Sequence, residues 1–158
     1  MANNTGTPAS DWLILSPPDE VRAQLARQKW AVDRRNREEL QSIYASDCML
    51  ILKNQGTDEL YRVGGRDAII AHIASGWAAN TTWMPGSMVH HIGTVLIEPA
   101  ANQMIRCRSY ATYVHILSTG QTEIQGYGKY HDYWRVEDGQ WRLHEREVHL
   151  FGITLPNH

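Results

Sequence analysis

The sequence predicts an α+β domain, in which a strongly curved antiparallel sheet wraps around N-terminal helices. Two observations predict it. Apolar residues in the first half of the chain recur at helical spacing, as in Ile69, Ile70, Ile73 and Trp77. From residue 88 onward the chain turns β-rich and is punctuated by short turns such as Glu137-Asp138-Gly139-Gln140. Helices first and a meander afterwards place the domain in the α+β class. A sheet curved around helices makes a cone with an enclosed apolar pocket, and such pockets are default ligand sites.

Each element has its own signal. Residues 1–15 read as an N-terminal tail, polar up to Ser10 and ending in the apolar Trp12-Leu13-Ile14-Leu15, which packs on the domain formed by 16–155. Ser16-Pro17-Pro18-Asp19-Glu20 is a helix start, with Ser as N-cap, Pro in the first turn and acids at the positive end of the dipole. Val21, Leu25 and Val32 supply that helix's apolar side. Asn36 with Glu39 three residues on reads as a capping-box-like restart, and Leu40, Ile43 and Tyr44 form the apolar side of a second helix. Cys48 to Leu52 is a short apolar strand. Asn54 to Gly65 reads as a turn-rich loop, Arg66 to Trp77 as the third helix, and Asn80 to Ser87 as a loop holding Trp83 and Pro85. Strands follow near 88–98, 103–117, 122–137 and 140–151.

Composition narrows the function classes. A chain of 158 residues holds one domain with a real core. With 42% hydrophobic and 20% charged residues it is not a disordered chain. A net charge of −2 and a pI near 6.4 argue against a nucleic-acid partner, which calls for a basic face. No apolar run approaches the roughly 18 residues of a membrane span, and residues 1–10 do not resemble a signal peptide. The expectation is therefore a soluble cytoplasmic protein. Cys48 and Cys107 each lie in an apolar run, as buried free thiols do. Six Trp and seven Tyr against one Phe suit a pocket for a ring-bearing ligand, because both residues join apolar bulk to a polar handle. The outer face of so large a sheet also needs cover, which predicts a homo-oligomer, dimer or trimer.

Three residues carry the chemistry. Asp33 ends the first helix, His90 opens a strand, and His115 lies inside the next strand. A carboxylate and two imidazoles that converge can move a proton off carbon and onto a leaving group. Asp33, if it points inward, needs a partner, and His115 is the natural one, its basicity raised by the pairing. His90 and His91 are adjacent on a strand and face opposite sides, so only one enters the pocket and the pair does not easily bind one metal ion. Tyr113 shares the face of His115 and serves either as pocket wall or as a hydrogen-bond partner of a ligand oxygen. Tyr130 shares a face with Gly128 and Asp132 and is the candidate oxygen polariser. His144 and Arg146 share a face of the last strand. Arg146 either holds a carboxylate, phenolate or enolate oxygen or pairs with Glu123 or Glu147 on the surface. No Gly-x-Ser-x-Gly, no cysteine at a helix start and no phosphate loop is present. The Arg-rich stretch from Arg22 to Arg37 reads as a solvated helix face.

The order of elements resembles the NTF2-like superfamily, and more closely its SnoaL-like and scytalone dehydratase-like members. The resemblance covers about 18–151. It rests on Ala31-Val-Asp33-Arg-Arg-Asn36, Tyr44-Ala-Ser-Asp47, Gly65-Arg66-Asp67, His90-His-Ile-Gly93, and Tyr133-Trp134-Arg-Val-Glu-Asp138-Gly139-Gln-Trp141-Arg. The scytalone dehydratase pattern has Asp and two His at the relative places of Asp33, His90 and His115, and it selects His90 over His91. It has Tyr where this chain has Val32 and Leu52, and Ser and Asn near Gly128 and Tyr130. The proton-transfer set thus matches and the substrate-polarising set does not.

The resemblance implies an NTF2-like cone and a cofactor-independent lyase, foremost a dehydratase, acting on an aromatic, polyketide-like or other cyclic small molecule. No metal and no organic cofactor is expected. The same groups would serve a carbon–carbon lyase releasing an aldehyde, or an isomerase. A non-catalytic alternative is the small structural subunit of a ring-hydroxylating dioxygenase.

Overall fold

The structure is a computed structural model and describes residues 15–54, 58–79 and 87–151. Three helices, α1 (Pro17–Asp33), α2 (Arg37–Ile43) and α3 (Arg66–Ala79), lie against six strands. The strands are β1 (Tyr44–Asn54), β2 (Asp58–Gly64), β3 (Met88–Pro99), β4 (Ile105–Ile116), β5 (Thr122–Glu137) and β6 (Gln140–Phe151). They form one curved, unclosed sheet in the order β2-β1-β6-β5-β4-β3. The expected tail packing of Trp12 to Ile14 and the loop holding Trp83 and Pro85 lie outside the described residues. Among the described residues no helix is long and apolar enough to cross a membrane.

Helix α1 begins where the local chemistry puts it. Pro17 occupies the first turn and the Asp19 and Glu20 N–H groups bond the Ser16 carbonyl. The Ser16 hydroxyl donates to Asp19 at 2.6 Å instead of capping a backbone N–H. The helix stops at Asp33 because Arg35 turns to φ +57°, after which Asn36 caps α2 by accepting from the Glu39 N–H. The inward stripe of α1 is Val21, Leu25, Gln28 and Lys29, all buried, continuing through half-buried Val32 and Asp33. It is apolar at its start and polar at its end.

Two features differ from the sequence reading. The segment taken for a turn-rich loop contains β2, an edge strand paired antiparallel with β1 from Asn54↔Asp58 to Met49↔Gly64. Only Tyr61 and Val63 turn a half-buried side chain to the core, too short an alternation to stand out, and Gly64 and Gly65 look like loop punctuation. Second, β1 pairs parallel with β6, so the sheet is mixed rather than wholly antiparallel. Parallel partners need a crossover, which β2, α3 and β3–β5 supply.

The core fills the concave face, from Val21, Leu40, Ile43 and Ile69 on the helices to Cys107, Trp134 and Leu143 on the strands. Cys48 and Cys107 are free and buried, as expected, and burial pushes both thiols up to about 12. Strand β4 alternates strictly, so Cys107, Ser109, Ala111, Tyr113 and His115 all face inward. Strand β6 carries a bulge: Tyr133 pairs with Glu145 but Trp134 with Leu143. His144 is the extra residue, and it pairs with exposed Asp47 at 3.4 Å. The alternation that would have joined His144 to the face of Arg146 is broken there.

Candidate active site

The site lies where the end of α1 meets the inner faces of β3, β4 and β5. Asp33 is the last residue of α1, at the negative end of the helix dipole, an unfavourable place for a carboxylate. His90 compensates. Its backbone N–H donates to Asp33 Oδ2 at 3.0 Å and its ring Nδ1 bonds Oδ1 at 2.5 Å. The two side chains are only 14% and 15% exposed, so these are charge-assisted bonds in a low-dielectric place. The sequence reading paired Asp33 with His115; in the structure both carboxylate oxygens accept from His90. Nδ1–H toward Asp33 leaves Nε2 as the basic nitrogen. His91 faces outward and is exposed, as the alternation requires.

From His90 the contacts run inward. Tyr113 stands directly across from His90 in the β3–β4 register, their rings edge-on at 5.0 Å. The Tyr113 hydroxyl bonds the Tyr130 hydroxyl at 2.7 Å. Gly128 makes room for this: a Cβ there would stand 2.6 Å from the Tyr113 oxygen. Burial raises the pKa of both phenols above the ordinary tyrosine value, that of Tyr130 well above it. Both therefore stay protonated at neutral pH. His115 is 9% exposed, opposite Met88 and two residues beyond Tyr113 on the same inward face, roughly 7 Å along the strand.

Arg146 is buried, not on the surface with Glu123 or Glu147. Its Nε and Nη2 grip both oxygens of Asp132 at 2.8 and 2.7 Å, and Nη1 donates to Gln28 Oε1 at 2.8 Å. Gln28 in turn donates to the Tyr44 hydroxyl at 2.9 Å. With three nitrogens committed inside the protein, Arg146 presents its charge rather than a free fork. That charge sits 4.7 Å from the centre of the Tyr130 ring.

Sequence reasoning missed Lys29. It lies one helical turn before Asp33, is 6% exposed, and holds its amine 3.8 Å from the Tyr130 ring centroid. Burial first, and then the Arg146 charge, push its pKa well below the ordinary lysine value; Asp132 and Asp33 pull the other way. Burial likewise lowers His90, against the bond to Asp33, which raises it. A signal for Gln28 and Lys29 was present: they stand seven and eight residues after Val21, on the same helical stripe. Polar residues on an apolar stripe mark either a satisfied core or a site.

A cleft of about 440 Å³ opens between the last turns of α1 and β3, lined by Lys29, Asp33, His90, Met88 and Ile92 among others. One metal-ligating group exists among the described residues, on the other face of the sheet. His131, Glu147 and His149 bring ligand atoms within 4.8 Å of one another, with Glu147 also salt-bridged to Lys53 at 2.7 Å. It does not border the cleft.

Comparison with solved structures places the fold. A candidate scytalone dehydratase from Novosphingobium aromaticivorans DSM 12444 superposes with a TM-score of 0.64 at 21% identity, over 85% of this chain and 83% of that one. An NTF2-like protein with a cystatin-like fold from Novosphingobium aromaticivorans gives 0.67 at 19% identity, over 84% and 80%. The beta subunit of a candidate aromatic-ring-hydroxylating dioxygenase from Novosphingobium aromaticivorans DSM 12444 gives 0.69 at 17% identity, over 87% and 90%. No curated protein matches the chain. The SnoaL-like domain model matches residues 15–147, and this protein belongs to that family.

Proposed function

We propose that the protein is a lyase, foremost a dehydratase, that works by general acid–base catalysis on an aromatic, polyketide-like or other cyclic small molecule. His90, oriented by Asp33, takes a proton from carbon through Nε2. His115, on the same inward face as Tyr113, serves the departing hydroxyl. The observation that carries this reading is the pair of hydrogen bonds from His90 to the two Asp33 carboxylate oxygens at the cleft: a carboxylate at an unfavourable helix end fixes and activates an imidazole there. The Tyr113–Tyr130 pair has two hydroxyl protons and uses one between its members, so one is left to polarise a substrate oxygen. Loss of another leaving group, aldehyde release by carbon–carbon cleavage, or return of the proton as an isomerase would use the same residues.

Positioned acid–base groups contribute about 100- to 10,000-fold each. Asp33→Asn, His90→Ala and His115→Ala should each lower turnover of a β-hydroxy cyclic ketone panel within that range while the fold persists by circular dichroism. Wild-type turnover in all three would end the acid–base reading.

A non-catalytic reading draws on the dioxygenase beta subunit that shares the fold. It predicts co-purification with a larger iron-containing chain. We also propose self-association through the outer face of the sheet, where Leu96, Tyr110, Ile124 and Tyr127 are exposed.

A further inference from the structure

We propose that Lys29 is a nucleophile that captures the carbonyl group of a β-hydroxy aldehyde or ketone as an imine, with the Asp33–His90 pair handling the protons. Three independent features of the geometry support this. Lys29 lines the cleft that Asp33 and His90 also line, so a ligand there contacts all three residues. It is 94% buried, yet the nearby carboxylates are committed elsewhere, Asp33 to His90 and Asp132 to Arg146, and among the described residues no ion pair reaches Lys29. A lysine kept in an interior without a carboxylate in contact is costly unless it is neutral or used. Finally, the Arg146 guanidinium and the Lys29 amine both lie over the Tyr130 ring, 4.7 and 3.8 Å from its centre. Desolvation together with a neighbouring cation is the environment that turns a lysine into a free-amine nucleophile at neutral pH. The direction of the Lys29 shift agrees.

The chemistry balances with no further reagent. The Nζ lone pair forms a C–N bond to the carbonyl carbon, the C=O π pair moves to oxygen, and a proton passes from nitrogen to that oxygen. The nitrogen lone pair then expels the hydroxyl, which leaves as water after taking a proton, and a protonated imine remains. Its positive charge rests against the Tyr130 π face. His90 removes the proton from the adjacent carbon, and the electron pair flows into the iminium to give an enamine. The enamine expels the β-hydroxyl, which takes a proton and leaves as water. Hydrolysis of the conjugated imine returns the free amine and releases the unsaturated carbonyl product, so the net change is loss of one water. The inference deepens the acid–base reading and rests on it for the second half of the cycle, and it narrows the substrate class to β-hydroxy carbonyl compounds.

The chain has three lysines, which makes the test internally controlled: Lys53 is paired with Glu147 and Lys129 is exposed. The full chain is incubated with benzaldehyde and sodium cyanoborohydride at pH 7, digested, and mapped by mass spectrometry for N-benzyl lysine. Lys29 should be labelled at least about tenfold faster than Lys53 or Lys129, since each unit of lowered pKa gives tenfold more free amine. Lys29→Arg, which supplies a cation of similar length but no imine-forming amine, should lose the label at that position and lose turnover, whereas a merely structural cation would be rescued by Arg. Label spread evenly over the three lysines, or a turnover-competent Lys29→Arg, overturns the proposal. The two readings separate cleanly. Labelled Lys29 with wild-type turnover in Asp33→Asn keeps carbonyl capture and removes the acid–base pair; unlabelled Lys29 with an inactive Asp33→Asn does the reverse.

Discussion

Replacing Asp33 with Asn changes one charge and almost no volume. In the native site the carboxylate accepts two N–H groups of the same residue, the His90 backbone at 3.0 Å and ring Nδ1 at 2.5 Å. An amide has one oxygen for two donors, and its NH2 group then faces an N–H. One charge-assisted bond is lost, worth about 1.5–3 kcal/mol, and a buried donor is left unpaired at a further cost of about 1 kcal/mol. Removing a negative charge from the C-terminal end of α1 returns about 0.5 kcal/mol. The net destabilisation is about 2–3.5 kcal/mol, and at about 2–4 °C per kcal/mol for a chain of this size the melting temperature should fall by roughly 4–14 °C. The histidine responds too. The bond to Asp33 is the influence that holds the His90 pKa up against burial, so the variant's His90 should titrate lower still. Scanning calorimetry reads the first effect and the His90 Cε1 proton, followed by NMR against pH, reads the second. A variant that melts with the wild type and shows an unmoved His90 titration would refute the pairing.

The other predictions concern the same interior. Arg146→Met strands the Asp132 carboxylate, which is 0% exposed, and should cost about 3–5 kcal/mol in urea denaturation, with much of the loss recovered in Asp132→Leu/Arg146→Met. Equal stability of the single and double variants would contradict it. Gly128→Ala places a Cβ 2.6 Å from the Tyr113 oxygen and should cost about 1–3 kcal/mol. Tyr113→Phe removes the atom that is struck, so the pair Gly128→Ala/Tyr113→Phe should be less destabilised than the two single changes summed, and strict additivity would be the contrary result. For pH, the His90 pKa in the folded state lies below its unfolded value of 6.5, so the unfolded chain binds the extra proton and stability should fall as pH drops below about 6.5. The lowered carboxyls Glu98, Glu137 and Glu147 are half-protonated in the unfolded chain at 4.5 and begin about one unit above it, which leaves the window between about 5.5 and 6.5 to histidines. His131 is lowered as well and contributes with the same sign. His90→Gln should flatten the slope in that window, and an unchanged slope would remove His90 as its source.

Much of the fold was legible because its signals are local. Helix starts, the capping residue Asn36 and the period-two alternation of β4 depend on neighbours a few positions away, and the four later strands fall within a few residues of their expected bounds. What was illegible depends on partners. An edge strand such as β2 turns only two half-buried side chains, Tyr61 and Val63, to the core, and the parallel pairing of β1 with β6 joins segments about 100 residues apart. The bulge at His144 is visible only against β5, and it decides which face its neighbours take.

The same division runs through the site. Strand period alone puts Tyr113 with His115 and Tyr130 with Asp132 on shared faces and lets only one of His90 and His91 turn inward; it leaves Asp33 and Arg146 open between interior and surface, because a helix end and a residue beyond a bulge have no side fixed by their neighbours. Only the tertiary structure decided who meets whom: Asp33 with His90 rather than His115, Arg146 with Asp132 rather than a surface acid, Tyr113 with Tyr130 across the space left by Gly128. Lys29 belongs to the second group. Its burial, and the free amine that burial favours, come from being closed in by strands far along the chain, and a charge's solvation is a property of its surroundings in space rather than of its place in the sequence.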